Sequence, residues 1–141
     1  MRASVMKMFA AGVVLSAAVA VSSPAQAAEM PAGALEKLVG LYVPMQEALA
    51  GDSIATVKEQ AAKVAGEAGA VLVTKGEKPS LEAIEGLEAV VAAAKATNAA
   101  EIKALREQFK ALSRAVAQLV ERQAVAGYGI YFCPMADAYW I

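Results

Sequence analysis

Apolar residues recur at steps of three and four along most of this chain, interrupted by a few short polar or glycine-containing stretches. That spacing is the signature of amphipathic helices, and no alternating, strand-like pattern competes with it. Four helices are predicted between about Gly33 and Gly127. The first runs from Ala34 to Ala50 with Leu35, Leu38, Val39, Tyr42, Met45 and Leu49 on its apolar face. Pro44 lies inside it and predicts a kink or the start of a second piece, because proline removes a backbone donor. Gly51-Asp52-Ser53 ends the first helix and caps the second, whose stripe is Ile54, Val57, Ala61, Val64, Ala68 and Val71. Thr74 to Pro79 reads as a polar turn, followed by Ser80 as the N-cap of a third helix. Its predicted inward positions are Leu81, Ile84, Leu87 and Val91, with Glu82, Glu85 and Glu88 outward and near the positive end of the helix. In the fourth helix Asn98 and Glu101 have capping-box spacing, the stripe is Ile102, Leu105, Phe109, Leu112, Val116, Leu119 and Val120, and Gly127 and Gly129 are the stop signals.

Four such helices with short connections most simply form an antiparallel bundle, so the expected fold class is all-α. Many facing positions are alanine, which permits close approach but buries little area per residue. The few large apolar side chains, Phe109 foremost, are therefore expected to carry the core.

The amino terminus changes how the composition is read. Arg2 and Lys7 precede an apolar run from Met8 to Val21, and Ala25-Gln26-Ala27 has the A-x-A form of a signal-peptidase site. Residues 1–27 are thus expected to be a cleaved secretory signal with Ala28 as the new start, and 28–33 a short lead into the bundle of 34–127. The apolar run is shorter than the ~20 residues a membrane-spanning helix needs. Removal of Arg2 and Lys7 from 13 basic residues leaves 11 against 14 acidic ones, a charge of −3. The basic residues are dispersed among acidic ones with no aromatic-basic stripe, so nucleic acid is not an expected partner. No membrane span is expected after cleavage, and the expected location is an exported, periplasmic one.

Composition departs from the helical pattern at the carboxyl end. The aromatic segment 128–141, expected to be extended or irregular, holds the one cysteine and the one tryptophan in Tyr131-Phe132-Cys133-Pro134-Met135-Ala136-Asp137-Ala138-Tyr139-Trp140. A lone cysteine cannot form an internal disulfide. Its thiolate and the Met135 thioether are soft donors, held on a stiff frame by Pro134, and they favour Cu(I) or Ag(I) over hard cations. Structural zinc needs four ligands, which one cysteine and no histidine do not provide. Asp137 is either an outer group of such a site or a solvated turn residue. Without histidine the commonest general base is missing, the Glu-x-x-His motif of di-iron bundles cannot be built, and Cys133 has no activating partner in sequence. An enzyme is the class least expected. The rival reading is an interaction module in which Tyr139 and Trp140 dock on another envelope protein. A thiol-redox role lacks a resolving cysteine.

Three tracts carry a family resemblance: Leu38 to Asp52 (L-x-x-L-Y-V-P-M-Q-E-A-L-A-G-D), Ala104 to Val120 (A-L-R-E-Q-F-K-A-L-S-R-A-V-A-Q-L-V), and Y-F-C-P-M-A-D-A-Y-W. Together they resemble the bacterial family called domain of unknown function 3347. Its members are exported helical domains, found alone or appended to periplasmic adaptor subunits of copper and silver efflux pumps. The resemblance implies that Cys133 and Met135 are soft-metal positions, with Tyr131, Tyr139 and Trp140 as an aromatic frame. It also implies further sulfur donors after the tryptophan, where this sequence ends at Ile141. Either the chain is truncated, or a partner or second copy completes the coordination.

Overall fold

The stripes become helices close to where the spacing puts them. In the computed structural model, which describes residues 30–31, 33–76, 78–123 and 127–141, α1 spans Ala34–Ala50, α2 Ile54–Leu72, α3 Leu81–Ala96 and α4 Ile102–Arg122. The signal-peptide reading of 1–27 and the Ala28 start lie outside the described residues. Consecutive helices pack on one another through short connections, so the chain runs up and down as an all-α four-helix bundle. Among the described residues no helix is long and apolar enough to cross a membrane.

The core is one cluster drawn from all four helices. Every apolar position predicted for α1 is buried, and so are those of α2 and α4 apart from their first residues, Ile54 and Ile102, which are half-buried. The Tyr42 ring stacks on Phe109 with centroids 5.4 Å apart, which joins α1 to α4 across the bundle. Ahead of α1, the Met30 N–H donates to Gln123 Oε1 at 3.0 Å, tying the amino-terminal lead to the end of α4.

Three local expectations are corrected. Pro44 does not start a second piece; α1 is continuous through it. Its missing N–H frees only the carbonyl of Gly40, four residues earlier on the exposed side, where water can serve it. In α3 the buried face is Ala83, Leu87, Val90 and Ala94, whereas Leu81 is 72% exposed and Ile84 and Val91 are half-buried. Small residues decide that rotation: a Cβ at Gly86 would lie 2.9 Å from Leu119 Cδ1, so α4 approaches closest where α3 has least side chain. Ser80 does cap α3, accepting from Ala83 N–H at 3.1 Å.

The capping box of α4 does not form. Helix α4 begins after Glu101 without a side-chain cap, and the Asn98 amide donates instead to the Lys95 carbonyl at the end of α3. The connection is held from α4 by Gln108 Oε1, which accepts the N–H groups of Asn98 and Ala99 at 2.9 and 2.8 Å. At its other end α4 stops at Arg122, ahead of Gly127 and Gly129, with Gln123 as the closing residue.

In residues 128–141 the expected extended character takes a definite form. The segment is ordered as an antiparallel hairpin, β1 (Tyr131–Cys133) and β2 (Ala138–Trp140), paired Tyr131 to Trp140, Phe132 to Tyr139 and Cys133 to Ala138. Strand β2 lies against α4.

Phe109→Ala is expected to lower stability by about 3–5 kcal/mol, since it removes a buried ring and the stacking partner of Tyr42. Urea denaturation of both proteins measures this, and an unchanged midpoint would show that α4 does not supply the core.

Candidate functional site

A two-stranded hairpin is marginal on its own in water, so its position depends on what it docks against. The inward edge of β2 needs partners for its backbone groups, and three polar side chains buried in the helical core provide them. Ser113 Oγ accepts the Tyr139 N–H at 3.1 Å, and the Tyr42 hydroxyl donates to the Tyr139 carbonyl at 2.9 Å. Gln46 meets the next outward-facing residue with both ends of its amide. Its Oε1 accepts from Ile141 N–H at 3.0 Å and its Nε2 donates to the Ile141 backbone oxygen at 3.2 Å. Tyr42 and Ser113 are fully buried and Gln46 is 4% exposed. Tyr42 and Gln46 are one turn apart on α1, and Phe109 and Ser113 one turn apart on α4, so the helix period places all three groups beneath the hairpin.

Side chains alternate across the strands. Tyr131 and Cys133 share a face with Trp140 and Ala138; Phe132 and Tyr139 share the other, with ring centroids 5.1 Å apart. Ala138 is buried, Tyr139 and Trp140 are half-buried, and Tyr131 is 70% exposed. Cys133 is a free, half-buried thiol at the end of β1. The turn Pro134–Asp137 then places Met135 at its tip, 98% exposed. Asp137 closes the turn with φ of 47°, a left-handed conformation that aspartate tolerates better than most residues. Its role in the fold is therefore the turn, and it is exposed.

Of the predicted residues, the fold brings Tyr131 opposite Trp140 and sets Cys133 at the end of β1 and Met135 in the turn that follows. Met30 and Met45 are buried in the helical core. Among the described residues no three of Cys, Asp and Glu gather as a metal-ligating group. Beside the turn, between the hairpin and the ends of α1 and α4, lies a cleft of about 430 Å³ whose walls include Phe109, Trp140 and Met135.

Comparison with known families matches residues 38–126 to the one described as Protein of unknown function (DUF3347). The chain belongs to that family. The matched span of this DUF3347 chain holds α2, α3, α4 and nearly all of α1, including Tyr42, Gln46 and Ser113, and stops before the hairpin. No curated protein and no solved structure was matched.

Gln46 and Ser113 were not among the residues singled out in the DUF3347 sequence, although a signal existed. Each is a polar residue in phase with an apolar stripe, where an amide or hydroxyl must find a buried partner.

Tyr42 adds a titratable group to this junction. Burial pushes its phenol well above the usual tyrosine range, partly offset by the neighbouring Ser113 hydroxyl. A raised tyrosine pKa means that the neutral form holds the fold: the contribution is complete below the unfolded value of about 10 and is lost as pH rises above it. Tyr42→Phe is expected to cost roughly 1 kcal/mol at neutral pH. The advantage of wild type should then shrink by about 1.4 kcal/mol per pH unit above about pH 10. Urea denaturation of both proteins from pH 7 to 11 checks this; a difference independent of pH would mean that Tyr42 is hydrated in the fold.

Proposed function

We propose that this DUF3347 chain is an exported accessory of copper tolerance, which takes up Cu(I) as cargo through Cys133 and Met135 and passes it on without catalysis. One observation supports this most: Cys133, half-buried at the end of β1, and Met135, fully exposed in the turn that follows, are two residues apart on a hairpin held against the bundle. Thiolate and thioether suit a soft monovalent ion of low coordination number, and Cu(I) binding would release the thiol proton to water. The exposed thioether gives an incoming acceptor a ligand to displace first. The family resemblance supports a periplasmic setting and a copper or silver efflux adaptor as the receiving partner. The compartment would follow from cleavage after Ala27.

A metal-free interaction module is the second reading. It draws on the exposed Tyr131, Phe132 and Met135, which cluster on the hairpin. Tyr139 and Trp140, which that reading first invoked, are half-buried against the bundle and less available to a partner.

Titration of the reduced protein with Cu(I) against a competing chelator is expected to show withdrawal of copper by wild type. The Cys133→Ser, Met135→Leu double variant should withdraw none, with the same helical content. Equal withdrawal by the two proteins would refute the metal reading.

A further inference from the structure

The cleft beside the hairpin has a chemistry of its own. Its body is apolar, with Leu49 at the end of α1, Phe109 on α4 and Trp140 on β2 as walls and Met135 at the lip. At about 430 Å³ it falls within the range of small-molecule sites, roughly 300–1,000 Å³, and its mostly apolar lining with a few charged groups is what such sites show. The charged groups are grouped as well. Arg106 and Lys110 are one turn apart on α4, on the same face, and both border the cleft, as does the acidic Glu107 between them in sequence.

Each cation has an acidic neighbour, and neither pairing closes the site. Arg106 Nη2 donates to Leu49 O at 2.7 Å and to Asp52 Oδ1 at 2.6 Å. Those bonds use one nitrogen of a guanidinium that carries five N–H donors on three. Lys110 Nζ sits 2.9 Å from Glu107 Oε2, in a pair spaced three residues apart on the helix. The Asp52 and Glu107 side chains are 70% and 62% exposed, so both pairs are solvated ones of small worth that a better-placed carboxylate can displace. Lys110, at 29%, is the less exposed partner of its pair and lies along the apolar wall.

We infer that this cleft is a binding site for a small organic anion with an aromatic body, of the arylacetate class. The ring lies between Phe109 and Trp140, and the carboxylate reaches Lys110 and the free N–H groups of Arg106. The ligand touches α1, α4 and the hairpin at once, so it also fastens the hairpin to the bundle. Neither the thiol nor a metal takes part, and Met135 at the lip is the one residue shared with the copper reading.

The chain has one tryptophan, and it forms a wall of the cleft, so its emission reports occupancy directly. The test is a fluorescence titration of the full protein, with a copper chelator present, using phenylacetate, phenylacetamide, phenethylammonium and acetate. Phenylacetate should produce a saturable change and raise the melting temperature. Phenylacetamide, which keeps the ring but not the charge, should bind at least about tenfold more weakly. Acetate and phenethylammonium should not saturate over the same range. In Lys110→Gln, shown to be folded by its circular dichroism and melting curve, affinity for phenylacetate should fall towards that of the amide, with amide binding unchanged. Equal affinity for acid and amide, tighter binding of the cation, or no saturable change with any probe would overturn the inference. The ligand series alone decides between these outcomes should the variant fail to fold.

Discussion

Everything at the carboxyl end depends on how the inward edge of β2 is satisfied. Its backbone groups at Tyr139 and Ile141 meet the side chains of Ser113, Tyr42 and Gln46, which lie in the helical core. Four hydrogen bonds of about 0.5–1.5 kcal/mol net each amount to roughly 2–6 kcal/mol, enough to hold a hairpin that is marginal alone. Tyr42 belongs to both sides of this arrangement: its ring is core, stacked on Phe109, while its hydroxyl belongs to the hairpin junction. Helix packing and hairpin docking are therefore coupled through one side chain.

The docked hairpin in turn creates both places where chemistry concentrates. It carries Cys133 at the end of β1 and Met135 in the turn that follows, and its inner side closes the cleft over Leu49 and Phe109. Met135 borders the cleft as well as occupying the turn, so a change in the position of the turn would alter both at once. The family match ends before the hairpin, yet it includes the three residues that grip it. The bundle is thus the platform on which the hairpin is held.

Much of the bundle was legible because burial follows the helical period: the stripes of α1, α2 and α4 are the observed core with little change. Helix α3 departs from its predicted stripe by one position because size alone favours Leu81, Ile84 and Val91, whereas Gly86 is where Leu119 of α4 comes close. The Asn98 cap failed for a tertiary reason, the competing grip of Gln108 on the connection. Three-residue strands leave too short an alternation to distinguish a hairpin from an irregular tail, although the left-handed Asp137 lies at a position where a turn residue was anticipated. Composition alone singles out Cys133, Met135 and Trp140 as candidates. What could not be read was the partner of each: that Trp140 walls a cleft, and that Gln46 and Ser113 hold the strand it belongs to.

The central claim, that buried side chains of the bundle hold the hairpin, is tested most directly by amide hydrogen exchange resolved by residue. The account predicts that the Tyr139 and Ile141 N–H groups exchange nearly as slowly as amides in the middle of α4, and that Ser113→Ala speeds exchange along β2 while leaving α2 and α3 protected. Exchange at Tyr139 and Ile141 as fast as in the Met135–Ala136 turn would contradict it.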